Sequence, residues 1–172
     1  MRAIPWLLLV FVLAAGICFA AESTPKKQED AAPNAAGIWV SEGGQSRVEI
    51  VVKDDGTLSG KIVWLREPLY GKGEEPEGQP KTDQNNPDAA RHGDPIIGLE
   101  ILKGFEREKN GEWKGGTVYD PETGKTYKAK ISMKDADTLN LRGFIGISLL
   151  GRTTEWKRYV PEPGDAAAGD NK

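Results

Sequence analysis

The sequence predicts an all-β domain, a single eight-stranded antiparallel up-and-down barrel, with a two-sheet sandwich as the competing arrangement. Three observations predict it. Apolar and polar side chains alternate with a period of two: Tyr127, Ala129, Ile131 and Met133 share one face, and Thr126, Lys128, Lys130 and Ser132 the other. Tight-turn sequences separate such segments, as at Asp54-Asp55-Gly56, Asn110-Gly111 and Asp120-Pro121-Glu122-Thr123-Gly124. Between residues 37 and 160 no segment carries a helical period, so no helix is expected to cover a sheet face. Closing the sheet on itself removes both exposed edges.

The strands follow in order. Gly37-Ile38-Trp39-Val40 opens the domain, and Ser46–Lys53 follows with Val48, Ile50 and Val52 on one face. Thr57–Arg66 is the third strand; its mixed pattern predicts either cover on both faces or a bulge at Gly60. Residues 67–94 form a long polar interruption with four prolines, Pro68, Pro76, Pro80 and Pro87, a loop length that in a small domain points to function or disorder. A strand over 95–108 is expected, in which Ile97, Leu99 and Ile101 alternate with the residues between them. The hairpin over 112–133 comes next, with Pro121 presetting its own φ and Gly124 closing the turn at positive φ. Strands over 138–144, with Leu139 and Leu141 inward, and 151–159 complete the eight.

The amino terminus has Arg2, an apolar run from Ile4 to Phe19 and small residues at Ala20 and Ala21, the layout of a secretory signal peptide over residues 1–20 cleaved after Ala20. An uncleaved anchor is the alternative, but the run is short for a span and no positive flank follows. Cleavage removes Cys18, the only cysteine, so the exported chain, periplasmic or secreted, would have no disulfide and no transmembrane segment. It also removes Arg2, taking the net charge from −3 to −4. Residues 21–36 and 161–172 have a disordered composition and flank one barrel domain over 37–160, long enough to bury roughly 60% of its unfolded surface. The charges are interspersed without a basic stripe, which argues against a nucleic-acid partner.

Gly37-Ile38-Trp39 in the first strand, with an arginine late in the last, resembles the signature of lipocalin-like (calycin) barrels. The resemblance implies that Trp39 plugs one barrel end under a guanidinium, with Arg158 or Arg152 the partner. Across the domain the chain resembles the bacterial exported family known as domain of unknown function 2147. The residues that carry this are Gly37-x-Trp39, Gly60-x-Ile62, Asp83-x-Asn85-Asn86-Pro87, Pro95-x-x-Gly98-Leu99, Gly104-Phe105 and Trp113-x-Gly115-Gly116. Tyr119-Asp120-Pro121-x-x-Gly124-x-x-Tyr127, Leu141-x-Gly143-Phe144-x-Gly146, Gly151-Arg152 and Trp156-x-Arg158 continue it. It implies a lipocalin-like fold and no established function.

The expected role is non-enzymatic binding of a small, partly apolar or lipid-like molecule inside the barrel, without a cofactor. The competing expectation is a filled barrel acting as an envelope structural or interaction module through its loops. Trp64, Trp113, Thr117, Tyr119 and Tyr127 are the candidate ligand-lining residues, although such side chains also serve to fill small barrels. Asp83, Asn85, Asn86 and Asp88 are candidates to shape one barrel mouth. Asp83 to Asp94 has the span of a calcium loop, but Pro87 occupies a ligand position and Asp88 stands where glycine is needed, so these side chains are expected to cap their own backbone. His92, the only histidine, has no cysteine or nucleophilic-serine motif to join and is expected to be a solvated loop residue.

Overall fold

The structure, a computed structural model, describes residues 34–161. The expected signal peptide, most of the linker and the tail over 162–172 lie outside the described residues. Among the described residues nine strands run in order: β1 (Gly37–Val40), β2 (Ser46–Val52), β3 (Leu58–Leu65), β4 (Glu100–Arg107), β5 (Trp113–Lys114), β6 (Thr117–Asp120), β7 (Lys125–Met133), β8 (Thr138–Phe144) and β9 (Arg152–Arg158). β5 and β6 both pair with β4 on one side and β7 on the other, so they share one place in an otherwise eight-membered circle. Every neighbour is antiparallel, and β1 pairs with β9 to close the barrel.

Closure decides which side chains meet. Large apolar groups fill the interior: Trp39, Val48, Ile50, Leu58, Leu102, Phe105, Ile131 and Leu139 are each under 2% exposed. Burial of such side chains stabilises by about 1.5–3 kcal/mol apiece before chain entropy is counted. The irregularity expected at Gly60 is present, because the β3–β4 register shifts on both sides of it. A further shift between Arg47 and Val48 places Trp64 opposite Arg47.

The fourth strand starts later than its sequence pattern predicts. Gly98, at φ 97°, turns the chain and the Leu99 amide donates to the Ile96 carbonyl at 3.2 Å. Ile97 is therefore 44% exposed, while Ile96 and Leu99 are buried. Val52, expected to share a face with Val48 and Ile50, is 42% exposed at the end of β2.

Antiparallel order sends the connections alternately to two ends. The turns at 53–57, 108–112 and 134–137, with the incoming segment 34–36, form the first end. The connections at 41–45, 66–99, 121–124 and 145–151 form the second.

Candidate functional site

The first end is sealed around Trp39. Trp39 and Arg158 are register partners, and the Arg158 guanidinium lies over the indole at 4.3 Å from the ring centre. The same guanidinium donates to the carbonyls of Asn34, Ala36 and Ala136 at 2.9, 3.0 and 2.9 Å, while the indole N–H donates to the Ala35 carbonyl at 2.8 Å. A planar five-donor fork suits this stacked, divergent arrangement better than an ammonium would. Gly37 is required beside it, since its φ is 134° and a Cβ there would sit 2.6 Å from an Arg158 nitrogen. Arg152, the other candidate, is 81% exposed at the second end and pairs with Glu42 at 2.7 Å.

The second end is organised by the long loop. Isolated bridges, Leu69 with Pro80 and Thr82 with Pro95, give it internal order. Asp83 is fully buried, and both its oxygens are used: the Tyr119 hydroxyl donates to Oδ1 at 2.7 Å and the Asn86 amide to Oδ2 at 2.6 Å. A buried carboxylate is tolerated only when it is satisfied in this way. His92 is exposed in the loop, as expected, and its Nε2 lies 2.8 Å from the Asn86 carbonyl. Asn86 and Asp88 accept from the backbone amides of Asp88 and Ala90, the capping expected of them. Asp94 is engaged by Arg91 at 2.9 Å.

Asn85 extends the network to the barrel itself. Its amide donates to the carbonyls of Pro121 and Glu122 at 3.2 and 3.0 Å, clamping the loop onto the β6–β7 turn. Gly124, at φ 68°, leaves room for the Asn85 carbonyl where any Cβ would collide. The turn that sets the hairpin register is therefore also the dock for the loop.

The five expected ligand-lining residues do not share one surface. Val118 pairs with Leu102 and Tyr127, so Tyr127 faces inward, and Trp113 is buried in the core opposite Ile131. Thr117 and Tyr119 alternate with Val118 and therefore face outward, beneath the long loop. Trp64 also lies outside: the Arg47 guanidinium sits between its ring, at 4.5 Å, and that of Tyr159, at 3.7 Å. A one-residue change of parity, invisible in composition, decides each of these placements.

What the outward placement creates is a depression of about 160 Å³ between the long loop and the outer face of β4, β6 and β7. Pro87, Leu99 and Ile101 form its apolar side; Arg91, Lys103, Glu100 and the hydroxyl residues Thr117, Tyr119 and Thr126 form its polar side, with Lys103 paired to Glu100 at 3.7 Å. Burial, then the hydrogen bond to Asp83, pushes the Tyr119 phenol up to about 12, so it stays protonated and donates. A second depression, of about 140 Å³ on β2 and β3, is lined chiefly by small and charged groups such as Ser59, Glu49 and Lys61.

The family model described as "Uncharacterized protein conserved in bacteria (DUF2147)" matches residues 37–158. The chain belongs to this family. No curated protein sequence matches it. Among solved structures it is similar to one titled "Protein HP1028 from the human pathogen Helicobacter pylori belongs to the lipocalin family". That likeness has a TM-score of 0.61 at 20% identity and covers 74% of this chain and 84% of the other. At that identity it establishes the lipocalin-like barrel fold of this family member and not a ligand.

Proposed function

We propose that this barrel is a non-enzymatic, exported binding protein for a small, partly apolar molecule, and that the molecule sits beneath the long loop rather than on the barrel axis. The observation that carries the reading is the buried Asp83, which fixes Tyr119 and Asn86 and so holds the loop over Leu99 and Ile101 before any ligand arrives. Pre-organisation of this kind lowers the entropic cost of binding. The side chains favour a ligand with an apolar body and a hydrogen-bonding group, met by the hydroxyls and by Arg91, Lys103 and Glu100, of which Lys103 pairs with Glu100 and Arg91 with Asp94. The axis is a poor alternative because Trp39, Phe105, Leu102 and Ile131 occupy it. Export is supported by the apolar run from Ile4 to Phe19 followed by small residues.

Native mass spectrometry of protein purified from its own host tests this reading. A co-purifying small molecule is expected, and it should be absent from Thr117→Trp, which fills the depression from the outer face. Titration with lipids and small acids should raise Tm by several degrees at saturation, as about 2.7 kcal/mol of linkage at a hundredfold excess over Kd implies. An apo mass with no shift across the panel rejects the proposal.

A filled-barrel interaction module is the second reading. It is favoured by the packed axis together with an exposed apolar loop at the second end.

A further inference from the structure

The loop between β8 and β9 combines two features that ordinary surface loops do not. Ile145, Ile147, Leu149 and Leu150 are 73, 61, 82 and 77% exposed, four large aliphatic side chains within six residues. Single exposed aliphatics are ordinary, whereas a contiguous cluster marks a contact surface. Three carbonyls of the loop are also bonded from within. The Leu150 amide donates to the Ile147 carbonyl at 3.2 Å, and the Arg142 guanidinium donates to the carbonyls of Ser148 and Leu149 at 2.8 and 3.1 Å.

The two strands beside this tip are cationic, while Glu42, Asp120 and Glu122 lie at the same end of the barrel. β7 and β8, with sequences KTYKAKISM and TLNLRGF, carry Lys125, Lys128, Lys130 and Arg142 and no Asp or Glu, in a chain whose net charge is −3. Register places Lys128 beside Phe144 and Lys130 beside Arg142, directly behind the loop, and alternation with the inward Ala129 and Ile131 turns both lysines outward.

We infer that the loop from Ile145 to Leu150 is a membrane-docking tip, which inserts its four aliphatic side chains into an anionic lipid bilayer while the β7–β8 cations meet the headgroups. Three features favour a bilayer over a protein partner. The four large side chains of the tip are each more than half exposed, and neither depression on the barrel includes them, so they offer no groove for a complementary side chain. Two of the tip's carbonyls, those of Ser148 and Leu149, are already bonded by Arg142, which lowers the cost of placing them in an apolar medium. The adjoining cations match anionic headgroups in sign, and Arg142 can keep its charge at headgroup depth while its stem follows the loop inward. No helix among the described residues is long and apolar enough to cross a membrane. The inference is independent of any ligand beneath the long loop.

The test uses the full chain with Cys18→Ala and an environment-sensitive fluorophore on Leu149→Cys, compared with the same probe on Asp54→Cys in the turn at the opposite end. Vesicles of phosphatidylcholine mixed with phosphatidylglycerol should raise and blue-shift emission at position 149 and leave position 54 unchanged. Lys128→Glu/Lys130→Glu should raise the half-saturating lipid concentration by about tenfold or more, since each surface cation contributes on the order of 1 kcal/mol. Both positions are exposed, so the probes leave the core intact, and an unchanged Tm verifies this. Several outcomes overturn the inference. They are no response at position 149, an equal response at position 54 (binding through residues 1–33), an equal response to phosphatidylcholine alone, or a rise with protein concentration without lipid, which indicates a second copy on the tip.

Discussion

Two residues carry much of what distinguishes this barrel from a generic one. Arg158 satisfies three carbonyls and covers Trp39, so Arg158→Ala removes a cation–π contact and leaves those carbonyls to water. A loss of about 2 kcal/mol or more is expected in urea unfolding, and Arg158→Lys should recover only part of it, because an ammonium cannot stack and fork together. Trp39→Ala should cost about 3–5 kcal/mol by the same measurement. Tyr119 adds a signature in pH. Its phenol ionises at about 12 in the folded chain against an ordinary value of 10, so below pH 10 both states hold the proton and its contribution is complete. As pH rises from 10 to 12 the unfolded chain releases the proton first, and stability must fall. Urea midpoints taken across this range should fall more steeply for the wild type than for Tyr119→Phe. That variant also starts lower at neutral pH, by about 1–3 kcal/mol, since Asp83 Oδ1 loses its donor.

At the scale of elements, the decisive contact is between the long loop and the β6–β7 turn. Asn85→Ala removes two hydrogen bonds, and Gly124→Ala forces a side chain against the Asn85 carbonyl at a positive φ. Both should release the loop while the strands persist, so limited proteolysis should cut within residues 67–94 several-fold faster, with little change in the far-ultraviolet spectrum. Cleavage as slow as in the wild type would mean that the Asp83 network alone holds the loop. This contact also shows where the sequence stops being informative. Strand positions were legible because alternation and turn residues are local: Pro121 and Gly124 announce a hairpin, and Leu139 and Leu141 announce an inward face. The destination of the loop was not, because Asp83 and Tyr119 stand far apart in sequence and nothing local says that their side chains will meet. The outward facing of Trp64, Thr117 and Tyr119 was hidden for a related reason, since parity is fixed by pairing partners and register shifts that neither strand displays alone. The apolar tip had a readable signal, since Ile145, Ile147 and Leu149 carry the odd-numbered apolar series of Leu139 and Leu141 on past Phe144, and Leu150 follows with no polar residue between.

At the scale of the molecule, the property that matters is closure, and it is secured unevenly. β7 and β8 pair over six residues, whereas β1 meets β9 at only two, Trp39 with Arg158 and Val40 with Lys157. The short seam is reinforced from the side by the Arg158 clamp, which ties the incoming segment 34–36 and the β7–β8 turn to the last strand. Cooperative opening should therefore begin there. In hydrogen exchange the amides of β1 and the end of β9 should lose protection before those of β7 and β8, and Arg158→Ala should widen that difference without exposing the far wall. Beginning the chain at Ser41 removes β1 and takes the closure away altogether. It leaves β2 and β9 as unpaired edges and uncovers Val48 and Ile50, apolar surface beside open hydrogen-bonding groups. Edge strands in that state recruit other strands, so the shortened protein should self-associate with rising concentration in sedimentation velocity, under conditions in which Arg158→Ala does not. A shortened protein that stays dispersed and unfolds cooperatively would show that the remaining seven positions form a stable open sheet, and that the ring is not what keeps these strands from pairing elsewhere.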